Sequence, residues 1–241
     1  MNKKQEKIIS ILKILRKQYP GGGAMEVGGA YQSLVGVLLS ARTRDEQVLL
    51  LMPGFFKAFP TVEILAKATE AQIRSKINTI GLFRAKANHL KKMAERIVEV
   101  YDGRIPHTME DLTSLAGVGR KTASVILPYI YKQPAIAVDT HVHRVTNRLG
   151  WVNTKSPQKT EQDLLKLIPD KYKTTVNRVF VRFGRYICIG KPRCWACPIA
   201  DQCPFKQKNL ERPKNADEIL SKISLRETRI EEMKKAVEEA G

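Results

Sequence analysis

Apolar residues recur at helical rather than alternating intervals along almost the whole chain. Ile8, Ile11, Leu12, Leu15 and Tyr19 share one helical face, which ends at the breaker cluster Pro20-Gly21-Gly22-Gly23. Thr69 with Gln72 forms a capping box ahead of Ile73 and Ile77, and Leu90, Ala94, Ile97 and Tyr101 make a stripe that closes at Gly103. Thr108 with Asp111 opens a short helix, and Ser156-Pro157 has the cap-then-proline form of a helix start. Val176, Val179, Phe180, Phe183 and Ile187 define a further face. The one strand-like run, Ala135 to Val138, is too short to build a sheet, so the pattern predicts an all-α fold. In the tail, Ile223, Ile230 and Val237 stand at sevenfold spacing with Ile219 and Met233 nearby, which predicts an amphipathic helix too short for a coiled coil. It either packs back on its own chain or binds a partner, whose identity the sequence leaves unknown.

Charge changes the picture next. Over 241 residues, Lys+Arg 42 against Asp+Glu 24 gives a formal net charge of +18, which calls for a polyanionic partner, nucleic acid before a membrane surface. No apolar run approaches the roughly 20 residues that span a bilayer, and Lys13, Arg16 and Lys17 interrupt the N-terminal apolar stretch without a cleavage site behind it. The expectation is a cytoplasmic protein. From Lys206 onward nine Lys/Arg face eight Asp/Glu, so +17 of the +18 lies before the tail.

All four cysteines, Cys188, Cys194, Cys197 and Cys203, fall in the pattern C-x5-C-x2-C-x5-C. Such clustering inside a cell favours thiolate metal ligation over disulfides. Four soft ligands suit tetrahedral zinc or an iron–sulfur cluster, and spacing does not choose. Lys191 and Arg193 lie between the first two ligands. A metal that pins this loop presents their charges to a phosphate backbone; the alternative is ordinary solvated charge.

The stretch Leu115-Ala116-Gly117-Val118-Gly119-Arg120-Lys121 joins the short helix after Thr108 to an apolar helix through Val125 and Ile126. Two glycines around one apolar residue permit a tight hairpin that aims backbone N–H groups at a phosphate without reading sequence. A plain helix–helix turn is the alternative, and the spacing is not that of a nucleotide-binding P-loop. Lys121 falls in the first turn of the following helix. A partly desolvated lysine there is a nucleophile, whereas a solvated one is a phosphate contact. Downstream, Asp139 in Val138-Asp139-Thr140-His141 reads either as a helix N-cap or as a carboxylate that assists proton transfer and stabilises a cationic sugar.

With these residues in hand, the chain resembles the endonuclease III family of helix-hairpin-helix DNA glycosylases across roughly residues 5 to 205. Four segments match in order: Leu38-Leu39-Ser40-Ala41-Arg42-Thr43-Arg44-Asp45, Thr79-Ile80-Gly81-Leu82-Phe83, the hairpin with Lys121 and Asp139, and the cysteine cluster. The resemblance implies a two-lobed fold, a helical barrel lobe at 22–132 and an iron–sulfur cluster lobe from 1–21 and 133–211, to which the amphipathic helix of the tail adds an extension at 212–241. It implies base-excision repair by a monomer acting on duplex DNA that carries an oxidised pyrimidine or an abasic site. Lys121 attacks the sugar C1′ and Asp139 assists. Gly117, Val118 and Gly119 hold phosphate, Leu82 wedges into the stack, and Arg42 faces the gap; Lys191 and Arg193 of the cysteine loop are the further candidates for DNA contact. Ser40, Asp45 and His141 line the base pocket, and the four cysteines carry a 4Fe–4S cluster in preference to zinc. The chain departs from the family pattern in having five rather than six residues between its first two cysteines, Ala116 for a proline, Arg42 for a glutamine, and an added tail. A monofunctional mismatch glycosylase lacks the lysine and carries a glutamate where this chain has Val37, and a non-catalytic DNA-binding protein needs neither Lys121 nor Asp139.

Overall fold

The computed structural model describes residues 2–20 and 22–240; Met1, Gly21 of the breaker cluster and Gly241 lie outside them. All regular structure among these residues is helical: α1 (Lys3–Gln18), α2 (Ala30–Ser40), α3 (Asp45–Ala58), α4 (Val62–Lys67), α5 (Glu70–Ile77), α6 (Phe83–Tyr101), α7 (Met109–Thr113), α8 (Arg120–Ile130), α9 (Thr140–Arg148), α10 (Pro157–Leu167), α11 (Asp170–Tyr186) and α12 (Ala216–Ala240), with one 3-10 turn at Cys194–Ala196. The helix starts read from the sequence are where the caps form. The hydroxyls of Thr69, Thr108 and Ser156 accept from the amides of Gln72, Asp111 and Lys159, which satisfies donors that a helix start leaves orphaned. The stripe of α6 ends in two successive left-handed residues, Asp102 and Gly103. Ala135 to Val138 is buried and forms no strand.

The chain divides into two compact units. The first comprises Met1–Gly23 and Gln133–Ser224. Its core forms as Ile8, Ile11, Leu12 and Leu15 of α1 meet Val142 and Val145 of α9, Leu164 of α10, and Val176, Val179, Phe180 and Phe183 of α11. The second comprises Ala24–Lys132 and Leu225–Gly241. There α6 packs along α4 and α5, and α8 lies against α2 and α7, burying Leu34, Leu38, Phe55, Phe56, Leu90, Ile97 and Ile126.

The tail helix packs back on its own chain. Ile223 joins the core of the first unit, whereas Ile230 and Val237 are buried within the second, where the Arg226 guanidinium pairs with Glu46. No helix among the described residues is long and apolar enough to cross a membrane.

Candidate functional site

In the second unit the hairpin between α7 and α8 is a tight turn in which the Val118 amide donates to the Leu115 carbonyl at 3.1 Å. Leu115 and Val118 are both buried and anchor the turn from below. Gly117 sits at φ +76, and a Cβ added to it meets the His89 Cβ of α6 at 2.9 Å, so this position requires glycine twice over. Gly119 is extended, and a Cβ there meets nothing within 4 Å. That open space is what a close-approaching backbone ligand needs. Among the described residues the amides of Gly117, Gly119 and Lys121 have no acceptor within the protein, and they cluster at the positive end of α8. Lys121, the second residue of α8, is exposed. Val118 is placed differently from the expectation of a phosphate contact. Its side chain is buried and its amide is already used, so it braces the hairpin that presents the glycines.

Two further loops of this unit carry strained backbone. The Ser40–Thr43 turn is closed by the Thr43 amide on the Ser40 carbonyl at 3.0 Å, with Ala41 at φ −57, ψ 114 and Arg42 at φ +55. That is the form of a type II turn, which favours glycine at the position Arg42 fills. Leu82, immediately before α6, sits at φ +60 and is 57% exposed. A left-handed leucine with its side chain in solvent contradicts both backbone and burial preferences. Ser40 ends α2, its hydroxyl donating to the Val37 carbonyl at 2.9 Å, and Asp45 begins α3; they flank Arg42 on one turn.

Asp139 lies in the first unit. As the N-cap of α9, its Oδ1 accepts from the amides of His141 (2.9 Å) and Val142 (2.8 Å). The cap uses one carboxylate oxygen only, and among the described residues Oδ2 has no hydrogen-bond partner. Capping and a chemical role are therefore compatible. His141 packs so closely on α11 that a Cβ on Gly184 would come within 2.8 Å of the His141 Cβ, and its Nδ1 lies 3.1 Å from the Arg144 guanidinium. Burial, with Arg144 and Arg185, holds the imidazole below its usual range despite the opposing pull of Asp139. This gives His141 a packing role inside the first unit, while Ser40 and Asp45 belong to the second.

The four cysteines, none of them in a disulfide, line one cavity walled by Leu149, Phe183, Ile187, Ile199 and Phe205. Among the described residues no three His, Cys, Asp or Glu side chains converge as a single-ion site; the thiols ring a space instead. Burial pushes the Cys188 thiol up and the Cys197 thiol up to about 12, an environment in which a positive metal centre offsets the cost of the thiolate form. Arg148, which sequence reasoning passed over, organises the loop after the first cysteine. It donates to the carbonyls of Ile189 (2.6 Å) and Gly190 (2.7 Å), approaches Cys188 Sγ at 3.4 Å, and stacks on Phe205. Arg144, one turn earlier, donates to the Cys188 carbonyl at 3.0 Å. Their i, i+4 spacing before a cysteine cluster was the available signal. Arg193 also turns inward, to the Tyr186 carbonyl at 2.6 Å, while Lys191 projects into solvent. Arg193 thus pins the five-residue loop and Lys191 presents charge from it.

Residues 35–170 match the family described as HhH-GPD superfamily base excision DNA repair protein. Endonuclease III of Thermotoga maritima is 41% identical over 179 residues, covering 74% of this chain and 84% of the relative. Endonuclease III of Haemophilus influenzae is 39% identical over 210 residues, covering 86% and 99%. Among solved structures, a trapped endonuclease III–DNA covalent intermediate superposes with a TM-score of 0.76 at 33% identity, covering 85% of this chain and 97% of that one.

Proposed function

This chain belongs to the HhH-GPD superfamily of base excision DNA repair proteins, within it to the endonuclease III family, and is a DNA glycosylase and abasic-site lyase; from that premise we propose which of its residues carry the chemistry. Lys121 is the nucleophile. The observation that carries this is its placement: an exposed amine in the first turn of α8, directly behind two glycines whose amides are unpartnered. A phosphate held by the Gly117 and Gly119 amides sets the sugar of an extruded nucleotide against that amine.

The lysine nitrogen, after giving up its proton, attacks C1′ as the bond to the base breaks and the base leaves with the bonding electrons. Ring opening gives a protonated Schiff base. Loss of a C2′ proton then expels the 3′ phosphate by β-elimination. Asp139, whose Oδ2 the helix cap leaves without a hydrogen bond among the described residues, is the carboxylate that assists proton transfer and stabilises cationic character at the sugar. Leu82 fills the stack vacated by the nucleotide and Arg42 faces its former partner base. Ser40 and Asp45 contact the base, and the substrate is duplex DNA with an oxidised pyrimidine or an abasic site, acted on by one copy of the chain at the nucleoid in the cytoplasm.

Membership of the endonuclease III family favours a 4Fe–4S cluster over zinc, and four soft thiols lining one apolar-walled cavity suit it. Cys188, Cys194, Cys197 and Cys203 would hold it, and its role here is to fix the loop from which Lys191 meets phosphate.

Incubating the protein with a duplex containing one thymine glycol and adding borohydride tests the central assignment. A covalent protein–DNA adduct is expected, and Lys121→Ala abolishes it. Absence of an adduct on that duplex and on an abasic-site duplex would overturn the role of Lys121.

A further inference from the structure

The second unit contains a charged side chain with no part in the chemistry above. Lys86, on the first turn of α6, is only 4% exposed. Its ammonium donates to the Leu39 carbonyl at 2.8 Å and to Thr43 Oγ1 at 2.6 Å. Neither acceptor is charged, and among the described residues no carboxylate pairs with it. Burial accordingly holds its pKa below the usual lysine range. A buried ammonium matched only by neutral groups is expensive, and such sites persist where the surrounding structure needs them.

The two acceptors stand on either side of Arg42. Leu39 is in the last turn of α2, where an unsatisfied carbonyl and the negative end of the helix attract a cation. Thr43 closes the turn that holds Arg42 at positive φ. The main chain of the same lysine reaches the other strained loop: the Lys86 amide donates to the Leu82 carbonyl at 3.0 Å, the first hydrogen bond of α6 behind the left-handed Leu82. Lys86 is therefore bonded by its side chain to the flanks of Arg42 and by its backbone to Leu82.

We infer that Lys86 is a positioning residue that locks the Arg42 turn and the Leu82 turn into one preformed unit, so that the side chain entering the vacated stack and the side chain facing the orphaned base arrive in register. This rests on the reading of Arg42 and Leu82 as DNA contacts. Neither loop is held in its strained conformation by a glycine, so the clamp supplies what their own sequences do not. Duplex affinity comes mainly from phosphate contacts, so loss of the clamp acts on the step that extrudes the base.

Lys86→Met keeps the aliphatic stem and removes the charge. Expected for base release from a paired thymine glycol is a fall in kcat on the order of 10- to 100-fold, the scale of a small misplacement, with KM within about threefold because the phosphate contacts are intact. Strand cleavage at a preformed abasic site, which has no base to extrude, falls far less. In an Arg42→Ala/Leu82→Ala background, Lys86→Met causes no further loss, because the residues it positions are gone. Thr43→Val, which removes one acceptor while preserving shape, reproduces the pattern at smaller size and carries the test if Lys86→Met does not fold. Additive loss in the triple variant, equal loss on both substrates, or unchanged base release in a folded Lys86→Met or Thr43→Val protein would overturn the clamp. If Arg42→Ala and Leu82→Ala are themselves silent, the reading of those two as DNA contacts fails, and the clamp with it.

Discussion

Leu82 holds a left-handed backbone that leucine avoids and exposes a side chain that leucine buries. Stability explains neither property, and both suit a wedge. Replacement by glycine separates them. Leu82→Gly relieves the φ penalty, a contribution of about 1 kcal/mol, and gives up little burial, so the folded protein is expected to be no less stable in urea unfolding while base excision from a paired lesion falls. A variant both less stable and fully active would show that the leucine serves packing. At this scale the sequence was legible only where chemistry names the residue. The cysteines stand out by type and spacing alone, whereas Lys121 and Asp139 are singled out by the family resemblance, since one lysine among 42 basic residues and one capping Asp carry no mark of their own. A positive φ at Leu82 or Arg42 leaves no trace in residue identity, since the signal for it is glycine and neither is one. Lys86 is hidden for a different reason. Among 42 basic residues nothing local marks the one whose ammonium is buried, because its acceptors lie more than 40 positions away. Nor does residue identity tell that Val118 of the hairpin is buried and that Arg193 of the cysteine loop donates to the Tyr186 carbonyl.

The elements were more legible than the residues, because helix ends are encoded within four positions. The Thr69–Gln72 capping box forms as a reciprocal pair, with the Gln72 amide on Thr69 Oγ1 and the Thr69 amide on Gln72 Oε1. Hydrophobic period then placed the buried faces of α1, α6 and α11. The hairpin was legible through its two glycines, yet they turn out unlike one another. Gly117 is demanded by the protein itself, through φ +76 and the nearness of His89, whereas Gly119 is demanded by nothing within the chain. The substitutions should differ accordingly. Gly117→Ala forces a Cβ to 2.9 Å from the His89 Cβ in a backbone region alanine resists, at an expected loss of roughly 1–3 kcal/mol, with weakened DNA binding as the hairpin shifts. Gly119→Ala should leave unfolding nearly unchanged and weaken DNA binding alone, since its methyl points into open space. Chemical denaturation beside duplex affinity checks both, and equal destabilisation by the two would contradict the distinction. Ala135 to Val138 illustrates the opposite case: a strand-like run that, with no strand among the described residues to pair with, forms no element and simply buries its side chains.

At the scale of the whole molecule the charge is unevenly distributed along the chain, and that sets where salt should act. Of the net +18, only +1 belongs to the residues from Lys206 onward. There lysines and carboxylates neutralise each other locally, as Lys222 does with Glu218 at 2.5 Å along α12. Affinity for a polyanion falls with salt in proportion to the number of phosphates a protein neutralises. Exposed charges without local partners contribute to that number, and internally paired ones contribute little. Lys191 is of the first kind: it is exposed on a loop whose neighbours Arg148 and Arg193 spend their guanidinium groups on backbone carbonyls. Lys191→Ala should therefore lower the slope of log affinity against log salt by about 1 for undamaged and damaged duplex alike. Lys222→Ala, which removes the same formal charge, should leave the slope where it was. If the two changes act equally, the protein is a diffuse cation and the loop behind Cys188 has no particular place in binding. If they differ as expected, the cysteine-lined cavity gains a physical purpose, as the support that holds one exposed lysine at a fixed point on the surface of its unit.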